Sequence, residues 1–339
     1  MKNLAIPPFK PGDKAYIISP SAGLMPFIPN RVERARKHLE KLGYKVVIGK
    51  SASLNNGYVS AGIDERVKDI HDAFRDKSCN LVLCSIGGNH SNQLLDKIDY
   101  DLIRENPKAF CGYSDITVLH LAFLAKAGLT TFYGPTFLNQ FGEYPEVLGF
   151  TLKHFKKTVM QQKDIQVERI SREYTNEILD WFANTDSKRP RKLLPNPPLK
   201  IWKHGKAEGN VLPFTVPSIN HVINTEYMPN IEEPILFIDI PEGASMNEGL
   251  SVGEFDSWFS DLVRSGLVGK ARGIVIGRAY KYSQEMVEEL GSVIREQCNS
   301  FNIPIVYGLD IGHTDPMLSI MYTSRVTLDT KSETIVDFE

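Results

Sequence analysis

Two hydrophobic patterns alternate along the first half of the chain. Short, uninterrupted apolar runs, often rich in β-branched residues, predict strands at 14–21, 45–48, 80–86, 109–111 and 131–135. Between them, apolar residues recur every three or four positions, which predicts helices over 30–42, 64–74, 117–128 and 147–160. Strands that alternate with helices are typical of a parallel α/β sheet. The 80–86 run is apolar enough to be covered on both faces.

The pattern breaks after this first unit. The segment 164–205 is polar, basic and proline-rich, and it contains Trp181 and Trp202. Tryptophans in such a connector or flap either stack on a flat ligand or anchor the segment to a domain surface. Strands are predicted again at 235–240, 273–278, 305–307 and 325–328, with helices at 253–265 and 283–298. We therefore predict an N-terminal domain at 1–165, a connector at 166–205 and a smaller C-terminal α/β domain at 206–339.

Length and composition agree with this division. A chain of 339 residues exceeds the usual size of one hydrophobic core, and its 42% apolar content is ordinary for a globular protein. The net charge of -2 gives no basic excess, so nucleic acid is not expected as a partner. No secretory signal or long apolar stretch is evident, which predicts a cytoplasmic protein without membrane contact. The four cysteines lack a C-x-x-C spacing, so reduced thiols are expected.

Two glycine-containing turns carry candidate chemistry. Ser114 lies on a tight turn between a predicted strand and helix, where it is either a nucleophile or simply an N-cap. Nearby Cys111 is expected to be a buried apolar side chain. The pair Gly87-Gly88 ends the third strand, where it forms a phosphate cradle, an oxyanion donor or only a tight turn.

A carboxylate and a histidine in the second half complete a possible catalytic set. Asp239 ends an apolar strand, where an ionised carboxylate needs a partner. His313 lies in a loop, where the neutral form required of a base is expected at pH 7. Serine, histidine and carboxylate together are what nucleophilic acyl transfer requires. The sequence does not place the three side chains together, since Ser114 belongs to the first domain.

Three motifs in order resemble the serine LD-carboxypeptidase family. They are Ile86-Gly87-Gly88 with Ser91-Asn92, the segment Gly112-Tyr113-Ser114-Asp115-Ile116-Thr117, and Gly312-His313-Thr314-Asp315-Pro316-Met317. The segments 19–21 and 61–66 fit the same pattern, so the resemblance extends over nearly the whole chain. It implies a flavodoxin-like N-terminal domain, a second α/β domain and an active site between them. It also implies a homodimer that needs neither a metal nor an organic cofactor.

The long connector resembles the microcin C self-immunity branch of this family. That branch is implied to hydrolyse the amide between an aspartate and a modified nucleotide in a peptide-nucleotide antibiotic, with a connector aromatic stacked on the base. Classical members instead remove a terminal D-alanine from an L,D-linked cell-wall peptide. A rival of another class is a non-catalytic protein that binds a small molecule between two α/β domains.

The resemblance also suggests a role for each candidate residue. Ser114 would be the nucleophile, His313 the base and Asp239 the orienting acid, although the family usually has a glutamate there and Glu242 is an alternative. The oxyanion donors would be the backbone N–H groups of Gly88 and Asp115. Substrate-binding residues would be Gly87, Asn89, Trp181 and Trp202. The segment 215–220 departs from the family pattern, which leaves the identity of the substrate open.

Overall fold

The apolar runs of the first half form a parallel sheet. The computed structural model describes residues 4–163 and 170–338. Within the first sheet, the first five strands lie in the order β2-β1-β3-β4-β5. Their bounds are β1 Lys14–Ile18, β2 Lys45–Ile48, β3 Cys79–Cys84, β4 Ala109–Gly112 and β5 Phe132–Tyr133. This is the flavodoxin-like order, in which ligands bind beyond the carboxyl ends of the strands.

Helices cover both faces of this sheet, as the fully apolar β3 predicts. Leu81 and Leu83 belong to the same hydrophobic cluster as Ala35 and Leu39, which lie on the first long helix. The alternate β3 residues, Val82 and Cys84, pack on the opposite face in the cluster that contains the second long helix. The helices of this half are Pro29–Lys41, Ile63–Arg75, Tyr100–Glu105, Thr117–Ala122 with its continuation Phe123–Ala127, and Gly149–His154 with its continuation Phe155–Met160.

The described part of the connector, residues 170–205, contains a small two-stranded sheet. Strand β6 (Glu173–Tyr174) pairs antiparallel with β7 (Leu194–Pro195). The predicted boundary between the N-terminal domain and the connector falls within 164–169, which lies outside the described residues. The other end differs from the prediction, because Lys200–Lys203 forms strand β8 at one edge of the second sheet. The last residues of the predicted connector therefore belong to the C-terminal sheet.

The second sheet has a parallel centre and antiparallel edges. Its order is β15-β14-β9-β10-β11-β12-β8, and β9 to β12 run parallel to one another. The strands not yet given are β9 Lys206–Thr215, β10 Pro234–Asp239, β11 Gly273–Gly277, β12 Ile305–Leu309, β13 Ile320–Met321, β14 Arg325–Asp329 and β15 Val336–Phe338. The helices are Val216–Ile219, Val252–Arg264, Leu267–Lys270 and Gln284–Gln297. The predicted two-part α/β architecture is confirmed.

Strand β13 belongs to the N-terminal sheet, although it follows β12 in the chain. It pairs antiparallel with β5, with Ile320 opposite Tyr133 and Met321 opposite Phe132. The carboxyl ends of β4 and β10 and the loop after β12 lie together at one junction between the sheets. In the part of the chain that is described, no helix has the length and apolarity needed to cross a membrane. All four cysteines are buried and unpaired by disulfides.

Candidate active site

Ser114 lies on a sharp turn at the carboxyl end of β4. Its φ of 64° is unusual for a residue other than glycine. A short 3₁₀ turn, Ser114–Ile116, follows and leads directly into the helix Thr117–Ala122. The simple N-cap interpretation does not describe this serine, because the cap position is Tyr113 and no side chain caps the turn. The strained turn instead presents the hydroxyl at the junction, as in nucleophile elbows.

The structure brings Ser114, His313 and Asp239 together. Ser114 Oγ lies 3.0 Å from Nε2 of His313. On the other side of the ring, Nδ1 lies 3.0 Å from Oδ1 and 2.8 Å from Oδ2 of Asp239. Asp239 therefore accepts the hydrogen bond of the Nδ1–H group, which leaves Nε2 of a neutral imidazole free to accept the proton of the serine hydroxyl.

Buried donors hold the carboxylate of Asp239, which is 0% exposed. The hydroxyl of Tyr133 donates to Oδ2 at 2.5 Å, and that of Thr215 donates to the same oxygen at 3.0 Å. Burial alone would raise the pKa of Asp239, but the charge of His313 and these hydrogen bonds outweigh it and lower the pKa below its ordinary value. Asp239 thus remains an ionised acceptor for the histidine.

His313 has a higher proton affinity than the sequence suggested. Burial by itself would lower the pKa of the ring, but the negative charges of Asp239, Glu242 and Asp315 outweigh burial and raise the pKa to about 9. The surrounding carboxylates therefore favour the protonated ring in the free protein, against the neutral form expected of a base at pH 7. Three nearby carboxylates cause the difference, and their proximity depends on the fold.

Glu242 contacts the ring from the side of the nucleophile. Its Oε2 lies 3.5 Å from Nε2 of His313, the nitrogen that faces Ser114. Asp239 instead holds Nδ1. An acid that orients the base must bind the nitrogen away from the nucleophile. The geometry therefore favours Asp239 over Glu242 for that role.

The two glycines after β3 let the backbone pass close to the nucleophile. A Cβ on Gly87 would lie 2.9 Å from Cβ and 3.1 Å from Oγ of Ser114, and one on Gly88 would lie 2.4 Å from Oγ of Ser21. Gly88 also has a φ of 141°, which only glycine adopts readily. The next residues are fixed by the side chain of Asp115, whose Oδ2 accepts hydrogen bonds from the backbone N–H groups of His90 and Ser91.

Gly312 permits the contact between the acid and the histidine loop. A Cβ at this position would lie 1.7 Å from Oδ1 of Asp239, and its φ is 87°. The next backbone N–H, that of His313, donates to the same oxygen at 3.2 Å. Backbone and carboxylate are therefore packed without room for any side chain.

The connector binds to the histidine loop. Thr175 and Asp315 exchange two backbone hydrogen bonds, of 2.6 and 2.9 Å. Arg191 contacts Oε2 of Glu143 at 2.5 Å and Oδ2 of Asp315 at 2.7 Å. Since Asp315 follows His313 by two residues, the connector helps to fix the position of the His313 ring.

The two connector tryptophans have different environments. The guanidinium of Arg31 lies 3.9 Å from the ring centroid of Trp181, and Arg31 also pairs with Asp186 of the connector at 2.6 Å. Trp181 is therefore tied to the N-terminal domain at the start of the helix Pro29–Lys41. Trp202, on β8, is stacked on Tyr307 with ring centroids 4.9 Å apart, and a Cβ on Gly291 would come within 2.9 Å of it.

The remaining candidates lie as follows. The structure does not bring Trp202 to the triad, because its ring packs between β12 and the helix Gln284–Gln297. Asn89 is exposed in the loop beyond Gly88. In the described part of the chain, no cluster of His, Cys, Asp and Glu side chains is arranged to hold a metal ion.

Sequence reasoning missed Tyr133, Thr215 and Arg191. Tyr133 ends a short buried strand, and a buried tyrosine hydroxyl usually has a hydrogen-bond partner, which was the available signal. Thr215 belongs to the segment 215–220, whose departure from the family pattern gives no sign of a contact with Asp239. Arg191 was one of several basic residues in a polar segment, and nothing local distinguishes it.

Comparison with known families gives a match in each half of the chain. Residues 16–134 match the LD-carboxypeptidase N-terminal domain, and residues 208–328 match the LD-carboxypeptidase C-terminal domain. The chain belongs to the LD-carboxypeptidase family. It is thus a hydrolase of the serine type, as the resemblance implied.

Relatives of this family align over almost the full length. A putative carboxypeptidase of Treponema pallidum is 33% identical and covers 99% of this chain and 95% of its own. The microcin C7 self-immunity protein MccF of Escherichia coli is 30% identical, and the match covers 97% of this chain and 94% of MccF. A probable murein peptide carboxypeptidase of Bacillus subtilis is 28% identical, and the match covers 96% of this chain and 91% of that protein.

Solved structures of MccF have the same fold. MccF in complex with aspartyl sulfamoyl adenosine matches with a TM-score of 0.87 and 30% identity, over 99% of this chain and 98% of that one. The complex with glutamyl sulfamoyl guanosine matches with a TM-score of 0.88 and 29% identity over the same shares. The predicted relation to the self-immunity proteins is confirmed.

Proposed function

We propose that this protein hydrolyses the amide bond of an aminoacyl nucleotide derived from a peptide-nucleotide antibiotic. The observation that carries the proposal is the 3.0 Å separation of Ser114 Oγ from the Nε2 of a histidine whose Nδ1 is held by Asp239. The MccF complexes with aminoacyl sulfamoyl nucleotides support this choice of substrate.

The reaction begins with attack of Ser114 Oγ on the carbonyl carbon, while Nε2 of His313 takes the hydroxyl proton. Asp239 keeps the ring in the required tautomer and stabilises the imidazolium that forms. The backbone N–H groups of Gly88 and Asp115 stabilise the oxyanion, and one such donor contributes about 10²–10³ in rate.

Collapse of the tetrahedral intermediate breaks the C–N bond. His313 then returns its proton to the leaving nitrogen, and the acyl group remains as an ester of Ser114. A water molecule, deprotonated by the same Nε2, attacks that ester and releases the free acid and the serine hydroxyl. No proton is gained or lost over the cycle apart from those of the water consumed.

Two further elements belong to the proposal. In it, Trp181, which packs against the guanidinium of Arg31, stacks on the base of the nucleotide, and Gly87 and Asn89 contact the substrate next to Ser114. The homodimer that the family resemblance implies and the cytoplasmic location expected from the sequence are also proposed. Sedimentation velocity and cell fractionation test these two points.

A second candidate substrate is an L,D-linked muropeptide from which a terminal D-alanine is removed. The observation that favours this substrate is the similarity of the chain to the probable murein peptide carboxypeptidase of Bacillus subtilis. The purified protein should be incubated with aspartyl sulfamoyl adenosine and, separately, with an L,D-tetrapeptide, and the products identified by mass spectrometry. Cleavage of the tetrapeptide alone contradicts the aminoacyl nucleotide proposal.

The Ser114→Ala variant tests catalysis itself. Loss of the nucleophile should abolish hydrolysis of either substrate, because no other group can form the acyl-enzyme. Its circular dichroism and melting temperature should stay near those of the wild type. Full activity in this variant would contradict the triad and leave the non-catalytic binding protein as the better account.

A further inference from the structure

Glu242 has a carboxylate oxygen that the triad does not use. Its Oε2 is buried, although the side chain as a whole is 32% exposed, and it has no hydrogen-bond partner among the residues that the structure describes. Its charged neighbour there is His313, with Nε2 at 3.5 Å. An ionised oxygen that lacks a hydrogen bond is costly to bury, so such groups are usually paired.

The backbone holds Glu242 in this position. Residues 242 and 249 form an antiparallel β-bridge across the loop that follows β10. Gly243 donates to the carbonyl of Glu248 at 3.0 Å, and a Cβ on Gly249 would lie 2.2 Å from the carbonyl oxygen of Tyr280. Glu242 is therefore set by a folded loop rather than by a free surface side chain.

The other carboxylates around His313 already have donors. Asp239 is held by the ring of His313 and by two hydroxyls. Asp315 is paired with Arg191 at 2.7 Å and accepts a hydrogen bond from Gln140 at 3.0 Å. Glu242 is the acid of this group that remains without a cation once Nε2 of His313 is neutral and engaged with the nucleophile.

We propose that Glu242 binds the free α-ammonium group of the acyl residue, so that the enzyme selects substrates whose scissile amide follows an unblocked amino acid. This inference rests on the proposed function and specifies its substrate further. In a near-attack geometry the carbonyl carbon lies about 3–3.5 Å from the attacking oxygen. The α-nitrogen is separated from that carbon by a single carbon atom, so it lies within reach of Nε2 of His313; in the proposed pose it occupies that side, where the oxygen of Glu242 lies 3.5 Å from Nε2.

The electrostatics of the site agree with this assignment. Glu242 is one of the negative charges that raise the pKa of His313 to about 9 against the opposing effect of burial. An ammonium group paired with Glu242 offsets that charge and returns the ring toward the neutral form that a base requires. An N-acylated substrate has no such cation and leaves the carboxylate unpaired.

The test uses two matched pairs of substrates. One pair is L-alanyl sulfamoyl adenosine and its N-acetyl derivative; the other is L-alanyl-D-alanine and its N-acetyl derivative. The neutral alanine side chain isolates the contribution of the α-ammonium group. For the wild type, kcat/KM should be between about tenfold and a hundredfold higher for the free amine than for its N-acetyl partner.

The variant Glu242→Gln should reduce that ratio to near one, mainly through a higher KM for the free amine. The control Glu248→Gln removes an exposed carboxylate from the same loop and should keep the wild-type ratio. If Glu242 only stabilised the imidazolium, the variant would lower kcat for both members of a pair equally and the ratio would persist, which overturns the inference.

The two leaving groups separate this inference from the proposed function. Equal rates for free and N-acetylated members in the wild type overturn the role of Glu242 while the hydrolase stands. Cleavage of the dipeptide pair alone removes the aminoacyl nucleotide as substrate, and the ratio within that pair still decides the role of Glu242. Cleavage of neither pair overturns both.

Discussion

At the level of a single residue, the absence of a side chain at Gly312 allows Asp239 to contact His313. We expect Gly312→Ala to lose nearly all activity and to destabilise the fold, because the new methyl group would overlap Oδ1 of Asp239 at 1.7 Å. The measurements are kcat with the cleaved substrate and the free energy of unfolding from urea titration.

The matched control for this substitution is Gly266→Ala. Gly266 has a similar φ of 81°, but a Cβ there meets nothing within 4 Å. The control therefore carries the backbone strain without the overlap and should cost about 1 kcal/mol with unchanged kcat. Equal losses in the two variants would show that strain, rather than the contact with Asp239, explains the effect.

The titration of His313 sets the pH dependence of the free enzyme. Its pKa is raised to about 9, and it must be neutral to act as a base. The value of kcat/KM should therefore rise about tenfold per pH unit below that pKa and level off above it. A profile from pH 6 to 10 checks this, and Asp239→Asn should shift the midpoint to lower pH. A plateau that begins at pH 7 would contradict the raised pKa.

The same shift has a consequence for stability. A histidine whose folded pKa exceeds its unfolded value of about 6.5 stabilises the fold fully below that value. This contribution is lost as the pH rises from about 6.5 through about 9. Asp239 has the opposite pH dependence. Its pKa is lowered, so it stabilises the fold at pH values above the ordinary pKa of an aspartate, and this contribution is lost as the pH falls.

At the level of elements, Arg191 joins the connector to the histidine loop through side-chain contacts, and its side chain is only 14% exposed. Replacing Arg191 with methionine keeps the bulk but leaves the carboxylates of Glu143 and Asp315 unpaired. Removing one partner of a buried ion pair costs about 3–5 kcal/mol. We expect that loss in urea titration, together with a lower kcat because Asp315 belongs to the histidine loop.

Arg189 provides the control from the same segment. It pairs with Glu177 at 2.7 Å, but its side chain is 52% exposed. Solvent screens exposed pairs, so Arg189→Met should unfold at nearly the same urea concentration as the wild type and keep kcat. A loss in Arg191→Met no larger than in this control would mean that the connector does not position the histidine.

Most helices and strands follow from hydrophobic periodicity, and strand β9 shows where that signal fails. Lys206–Thr215 contains Gly209 and Pro213, both of which argue against a central strand. The pairing explains the proline, because β14 accompanies β9 only from Lys206 to Asn210. Beyond Asn210 one side of β9 has no strand partner in the described sheet, so a missing N–H costs little there.

At the scale of the whole molecule, the sequence indicates the candidate catalytic residues but not that their side chains lie close together. Motifs located Ser114 and His313, and the cost of burying a charge singled out Asp239. Their proximity depends on contacts between distant segments, such as the two-residue strand β13 against β5. A strand of two residues is too short to show a hydrophobic period in the sequence. The contacts of Arg191 and Tyr133 likewise form only when the two halves of the chain pack together.

The packing of the two halves predicts one cooperative unfolding transition. A single buried cluster includes Phe123 and Tyr133 from the first half with Phe214 and Phe255 from the second. Tyr133 also donates to Asp239 across the junction. In differential scanning calorimetry we expect one peak with equal calorimetric and van't Hoff enthalpies, whereas two resolved peaks would contradict the shared core.

The variant Tyr133→Phe tests whether the junction stabilises both halves together. Removing the hydroxyl leaves the buried Asp239 with one fewer donor, which costs about 1–3 kcal/mol and should shift the whole peak down by a few degrees without splitting it. Tyr44→Phe is the control, because its buried hydroxyl has no hydrogen-bond partner in the described chain. A downward shift of equal size in Tyr44→Phe would assign the loss to the hydroxyl group itself and not to the link between the halves.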